Sequence, residues 1–348
     1  MEKVKINKKI QLNNAPAIEG LVFRGFQGET DYPYIVRIVE SCMQADDIDH
    51  STSLEEISNN YQHLSNCDPF KDMLFAEVNG DVIGYSRVFW EKLSEGVRIY
   101  NLFGNLKPAW RRRGIGTAML KYNESRLAQI ASSHPNDGPR FYQSWAADTE
   151  VGTNALLKSQ GYKPIRYGFE MVRDLNEPFP EVPLPGGLEI RPVEEEHIWT
   201  IMKAADEAFK DHWGYRPITD EEYQGWRNDP NFRPELWKAA WDGDEVAGSV
   251  QNFYNPKENE EHNRKRGYTE GISTRRPWRK RGLATALIVE SMKMFKEMGM
   301  TETAHGVDAE NTSGALRLYK NLGYKVKKEH ITYRKPMEDH LQEQRRNP

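Results

Sequence analysis

Arg279, Lys280, Arg281, Gly282, Leu283 and Ala284 follow one another, and these residue types in this order can hold an anion. Gly282 lets the backbone approach a ligand closely or take a positive φ. Ala284 opens an apolar stripe that continues through Ile288, Met292 and Phe295, so a helix starts here. A helix start offers N–H groups without intrahelical acceptors and the positive end of the helix dipole. The three basic side chains add charge around it. A pyrophosphate suits such a turn. A strand must lead into the turn, and regular alternation places Tyr268, Glu270, Ile272 and Thr274 on one of its faces.

The segment after this helix is equally ordered. A strand from Thr303 to Asp308 precedes Asn311 and a short helix carrying Ala315, Leu316, Leu318 and Tyr319. Gly323, before Tyr324, fits the position just past a helix end. The N-terminal half contains a second turn of the same kind, Arg111-Arg112-Arg113-Gly114-Ile115-Gly116, again between a strand and a helix and again followed by a Gly-Tyr pair, Gly161-Tyr162. The Asn79-Gly80 hairpin signal is matched by Asp242-Gly243, and Leu188 to Pro192 resembles Leu21 to Gly25. A repeat of this length means a duplicated domain. Residues 176–187, rich in proline and glycine, can continue neither a helix nor a central strand and read as a linker. The expected organisation is an arm or added edge strand at 1–19, one domain at 20–175, the linker, a second domain at 188–337 and a polar tail at 338–348. Each copy mixes helices and strands, which gives an α/β class with layered α+β architecture.

Composition narrows the function classes. The 348 residues carry 38% hydrophobic and 29% charged residues, ordinary for a soluble globular protein. A net charge of -4 makes the Arg-rich turns local features and argues against a nucleic-acid surface. Cys42 and Cys67 are the only cysteines, which fits a reducing compartment. No His/Cys cluster has zinc spacing, no apolar run approaches about 18 residues, and Met1 to Gln11 lacks an apolar signal core. The expectation is a cytoplasmic protein without a metal, a membrane span or a nucleic-acid partner.

Arg279, Gly282 and Ala284, taken with Asn311, Tyr319 and Gly323-Tyr324, resemble the GNAT superfamily of acetyl-CoA-dependent acyltransferases and its Arg/Gln-x-x-Gly-x-Gly/Ala signature. The second turn extends the resemblance over most of the chain. It implies two tandem GNAT-like domains, each a mixed, mostly antiparallel sheet flanked by helices. It also implies acetyl-CoA as co-substrate, held at residues 279–284, and an N-acetyltransferase acting on the primary amine of a small molecule. On this resemblance Tyr319 would give a proton to the leaving thiolate. Glu270 would take one from the ammonium through water, with Asp308 as alternative. Family bases commonly stand one pleat earlier, where this chain has Tyr268. Main-chain N–H groups around Ile272 to Thr274 would polarise the thioester carbonyl, and Asn311 would either bond the pantetheine arm or cap the last helix. Asp211, His212, Trp213 and Tyr215 form an aromatic, mildly acidic cluster suited to a cationic amine.

The copies differ where chemistry would occur. Thr149 or Val151 stands opposite Asn311, Leu157 opposite Tyr319, and Tyr100 and Leu102 opposite Tyr268 and Glu270. The C-terminal copy is therefore expected to be catalytic. The N-terminal copy keeps a cofactor turn at Arg111, Arg112, Arg113, Gly114, Ile115 and Gly116 and is expected to be structural, regulatory or a passive binder. A protein or peptide amine as acceptor, and a non-catalytic acyl-CoA sensor, are the alternatives. The internal pair could replace a homodimer, which favours a monomer.

Overall fold

The computed structural model describes residues 9–311 and 314–337. It divides into two compact units, the first running to Ile165 and resuming at Ile331, the second from Arg166 to His330. The first contains strands β1 (Lys9–Ile10), β2 (Leu21–Arg24), β3 (Met73–Val78), β4 (Asp81–Lys92), β5 (Arg98–Leu106) and β6 (Arg140–Ala147). Its helices are α1 (Tyr32–Ala45), α2 (Leu54–Gln62), α3 (Pro69–Asp72), α4 (Ile115–Ser132) and α5 (Val151–Ser159). Strand β7 (Lys163–Asp174) leads into the second unit, which continues with β8 (Glu189–Arg191), β9 (Lys238–Asp242), β10 (Glu245–Phe253), β11 (Arg266–Thr274) and β12 (Glu302–Asp308). Helices α6 (Glu195–Phe209), α7 (Asp220–Arg227), α8 (Pro256–Glu261), α9 (Leu283–Glu297) and α10 (Ala315–Asn321) complete it, and β13 (Lys325–Pro336) carries the chain back into the first.

The same arrangement appears in each unit. Strands run in the order β1-β2-β3-β4-β5-β6-β13 in the first and β7-β12-β11-β10-β9-β8 in the second. One pair is parallel in each, β5 with β6 and β11 with β12, and the other registered pairs are antiparallel. The β3–β4 hairpin turns through Asn79 and Gly80 at φ 50 and 85, a two-residue turn whose twist matches its strands. Helices α4 and α9 pack on the two middle strands of their sheets. Leu283, Leu287, Ile288, Met292 and Phe295 of α9 are all buried. A Cβ at Gly267 of β11 would lie 2.5 Å from the Phe295 ring, so only glycine admits the ring this close to the strand.

The compact units do not follow the chain order of the repeat. Residues 166–174 finish the sheet of the second unit, and β13 from Ile331 onward finishes that of the first. Both exchanged strands are anchored. Tyr333 is fully buried and donates its hydroxyl proton to Asn154 Oδ1 at 2.7 Å. Arg173, also buried, donates from Nε to the Leu322 carbonyl at 2.7 Å and from Nη2 to that of Pro178 at 2.8 Å. Stretch 176–187 has no regular element, yet Phe179, Val182 and Leu184 pack on the second unit's core, so it is part of that unit. Of the N-terminal arm, Lys9 and Ile10 add an edge strand to β2, while residues 1–8 and 338–348 lie outside the described residues. Among the described residues no helix is long and apolar enough to cross a membrane.

Phe295→Ala should lower stability by about 3–5 kcal/mol, because it empties a fully buried ring site that Gly267 cannot fill. Equilibrium urea unfolding checks this. A loss below about 1 kcal/mol would mean that α9 does not depend on this contact.

Candidate active site

The basic turn of the second unit is held by its own first arginine. Arg279 donates from Nε to the Thr274 carbonyl at 3.0 Å and from Nη2 to the Ala208 carbonyl at 2.9 Å, and its Nη1 lies 2.7 Å from Asp211 Oδ2. Arg276 pairs with the same carboxylate, its Nε 3.1 Å from Oδ2. These two guanidinium groups hold the Asp211 carboxyl far below its ordinary pKa. Arg279 thus ties the end of β11 to the end of α6, and the chain beyond it is forced into a left-handed bend. Lys280 sits at φ 62 and Gly282 at φ 84. The first backbone bond of α9 is Ala286 N to Gly282 O at 3.0 Å, and among the described residues the N–H groups from Lys280 to Thr285 meet no backbone acceptor. A Cβ on Gly282 would face open space. Backbone donors without acceptors, the exposed Lys280 and Arg281 side chains and the dipole of α9 are features that fit a pyrophosphate.

Next to the turn the sheet opens. Strands β11 and β12 pair in parallel only from Arg266 with Glu302 to Tyr268 with Ala304. Beyond that point the Glu270 side chain crosses between them, its Oε1 accepting from Gly306 N at 2.8 Å. On the other edge, the register of β11 against β10 shifts between Gln251–Glu270 and Ser249–Ser273, leaving Gly271 and Ile272 out of the ladder. Gly271 takes φ 56 there. The even alternation expected from Tyr268 to Thr274 is therefore broken by a bulge. Such a bulge re-aims main-chain N–H groups, which is what a developing oxyanion requires.

Tyr319 of α10 closes this opening. It is 7% exposed, and its hydroxyl meets no hydrogen-bond partner among the described residues. Burial, then the Glu270 charge, then Tyr324 push its pKa well above the ordinary value. Its ring packs 4.0 Å from that of His305, which packs 4.3 Å from Tyr324. Thr269 Oγ1 lies 3.4 Å from His305 Nδ1 and 3.1 Å from the Tyr324 hydroxyl. Burial drives the His305 pKa down to about 3, so its ring is neutral, and its buried Nε2 has no partner among the described residues. Thr269, His305 and Tyr324 were not among the residues expected at the site. The alternation of Thr303, His305 and Val307 along β12 carried the signal, since it points a polar ring inward between a threonine and a valine.

The remaining expected residues are placed as follows. Asp308 is taken up by Arg166, whose Nε and Nη2 lie 2.9 and 2.6 Å from its two oxygens. Tyr268 donates to Glu258, which also pairs with Arg264, so this phenol is committed away from the opening. The substrate cluster is drawn apart: Asp211 serves the turn, Tyr215 donates to Asp206 at 2.9 Å, and Arg166 stacks over Trp213 at 5.2 Å. His212 packs 4.4 Å from Phe209, and burial lowers its pKa. Asn311 N donates to Asp308 O at 3.2 Å, beside the start of α10.

The first unit repeats the turn but not the opening. Arg111 Nε donates to the Leu106 carbonyl at 3.1 Å, and its Nη1 and Nη2 reach Asp46 at 2.6 and 2.7 Å. Arg112 and Gly114 take φ 62 and 83. The N–H groups from Arg112 to Thr117, through Arg113, Ile115 and Gly116, also meet no backbone acceptor among the described residues. A cavity of about 520 Å³ adjoins this turn. Strand β5, however, pairs with β4 without any register shift, from Leu106 to Arg98. Among the described residues no group of three or more His, Cys, Asp or Glu side chains could hold a metal in either unit.

Residues 198–324 match the model of the acetyltransferase (GNAT) family. The chain is 27% identical to a mycothiol acetyltransferase of Geodermatophilus obscurus, over 73% of this chain and 79% of that protein. It is 26% identical to a mycothiol acetyltransferase of Salinispora tropica, over 74% and 78%. A GCN5-related N-acetyltransferase structure from Sphaerobacter thermophilus superimposes with a TM-score of 0.69 and 25% identity, covering 92% of this chain and 96% of that one. A tandem GNAT protein from the clavulanic acid biosynthesis pathway shares the fold, with a TM-score of 0.62 at 14% identity, over 91% and 98%.

Neutral His305 sets a pH limit. Its folded pKa of about 3 lies below the unfolded value of about 6.5, so its contribution is complete above pH 6.5 and is lost as pH falls toward 3. Between pH 6.5 and 5 the loss should be about 1.5–2 kcal/mol. Urea midpoints across that range should fall for the parent and flatten for His305→Gln. Parallel slopes would show that other groups dominate.

Proposed function

We propose that the second unit of this chain, in which residues 198–324 match the acetyltransferase (GNAT) family, moves an acetyl group from acetyl-CoA to the primary amine of a small molecule. The observation that carries the reading is the meeting of Glu270 and Tyr319 at the opening between β11 and β12, beside a turn whose free N–H groups fit a pyrophosphate. The mycothiol acetyltransferase names of the relatives support a small-molecule acceptor.

Two protons must move. The ammonium of the acceptor loses one before nitrogen can attack the thioester carbon, and the sulfur gains one as the C–S bond breaks. In this reading Glu270 receives the first, through water, and Tyr319 delivers the second. The two steps are linked by charge. Ionised Glu270 raises the Tyr319 pKa, so taking up the ammonium proton removes that repulsion and makes the phenol a better acid when the thiolate forms. The bulge at Gly271 and Ile272 supplies main-chain N–H groups for the carbonyl oxygen. Asp308 is committed to an ion pair with Arg166 and is assigned no proton transfer. The first unit has Leu102 and Leu157 at the corresponding places and a regular ladder, and we assign it no transfer chemistry.

Thiol release from acetyl-CoA over a panel of small primary amines tests the proposal. Tyr319→Phe should lower kcat by about 100-fold and leave KM for acetyl-CoA within about twofold. Unchanged turnover would remove Tyr319 from the reaction. Acetylation of peptide amines with none of the small amines would establish a polypeptide acceptor instead. Absence of any release with either class would favour a sensor.

A further inference from the structure

The first unit contains a second cavity, of about 410 Å³, that acetyl transfer in the other unit leaves without a role. It lies between α1, α2 and the strands β4 and β5, and its wall is partly shared with the cavity beside the Arg111 turn. Its lining is mostly apolar and aromatic, with three charged side chains, Asp46, Arg87 and Glu150.

These three charges are not equivalent. Asp46 is consumed by the two-pronged bond from Arg111. Arg87 has no such partner: its Nη1 donates to the Asn60 amide oxygen at 2.9 Å, its Nε is buried and bonded to nothing, and among the described residues no carboxylate pairs with it. Its guanidinium carbon lies 5.1 Å from the Tyr61 ring and 5.0 Å from that of Phe103, two cation–π contacts that help to position the planar fork. The Cys67 thiol does not supply a counter-charge, since burial pushes its pKa up to about 12. Arg87 Nη2 meets no hydrogen-bond acceptor among the described residues, and a ligand carboxylate would supply one to this charged donor.

Glu150 supplies the opposite sign. Its Oε2 accepts from Ala147 N at 2.7 Å, and among the described residues no cationic side chain pairs with it. Burial raises its pKa, with Asp46 adding to the shift, so a cation beside it would be favourable. Tyr61, Tyr85, Phe103 and Trp145 provide aromatic wall, the last two rings 5.8 Å apart.

We propose that this cavity binds an α-amino acid, or a similar zwitterion with an apolar or aromatic side chain, its carboxylate on Arg87 and its ammonium toward Glu150. The ligand is bound and not acetylated, because the unit has leucines where Glu270 and Tyr319 stand in the other copy. The site is independent of the transfer reaction proposed above.

Calorimetric titration of the full chain with L-phenylalanine, L-leucine, phenethylamine and 3-phenylpropionate tests this without any acetyl donor. One of the amino acids should bind at a single site. Phenethylamine and 3-phenylpropionate should each bind at least about 10-fold more weakly than L-phenylalanine. Arg87→Gln should weaken amino-acid binding by at least about 10-fold, with the circular dichroism and thermal midpoint of the parent. If that variant does not fold, Arg87→Lys, which keeps the charge and loses the fork, should still bind several-fold more weakly. Glu150→Gln should erase the advantage of L-phenylalanine over 3-phenylpropionate. Binding of neither amino acid, equal binding of 3-phenylpropionate, or undiminished binding by folded Arg87→Gln would overturn the proposal.

Discussion

A guanidinium tied at one end to a carboxylate and at the other to a strand carbonyl is the constraint on which both sites rest. Arg279 joins Asp211 to Thr274, and Arg111 joins Asp46 to Leu106. Each clip joins the end of a strand to the region where a helix of the same unit finishes. The residue after the arginine must then take a positive φ, and so must the glycine before the next helix. These are conformations that cost a side-chain-bearing residue about 1–2 kcal/mol, and a fixed frame must sustain them. With the turn held, its N–H groups meet no backbone acceptor among the described residues. The arginine of the signature is thus occupied in shaping the turn, so in the proposed reading the backbone and the exposed basic side chains would meet the anion.

The same frame carries two different interiors. In the second unit a bulge in β11 and an early end to its pairing with β12 open the sheet, and Glu270, Tyr319 and a neutral His305 meet there. In the first, β5 is regular, and the polar features lie instead around Arg87 and Glu150. The turn is preserved in both copies because it organises the helix. The opening exists in one copy because a bulge can be gained or lost by a single register step.

Much of the fold could be read from the residues. The hairpin at Asn79-Gly80, the α9 stripe, the paired turns and the repeat are local patterns, and local geometry decides them. The GNAT resemblance and its mixed sheet agree with the family match and the structural neighbours. The acetyltransferase reading agrees with the relatives as well. What could not be read depends on distant partners. Asp211 looked like a cation receptor, but residues 276 and 279, far away in sequence, claim its charge. Tyr268 and Tyr215 looked available, yet Glu258 and Asp206 hold their hydroxyls. On the strand that carries His305, the residues alone assign a role only to Asp308. The bulge at Gly271 breaks the alternation on which the facing of Glu270 and Thr274 was argued.

The exchanged strands have a consequence for how the molecule is made. The first unit needs Tyr333 against Asn154, a contact that spans 179 positions. While the ribosome has yet to pass residue 336, that sheet lacks its β13 strand and leaves β6 as an open edge, while β7 waits for β12 to be synthesised. The N-terminal half therefore cannot reach its native form as the nascent chain emerges, and its maturation is delayed until the C-terminal half exists. A chaperone that shields strand edges would have most to do in that interval.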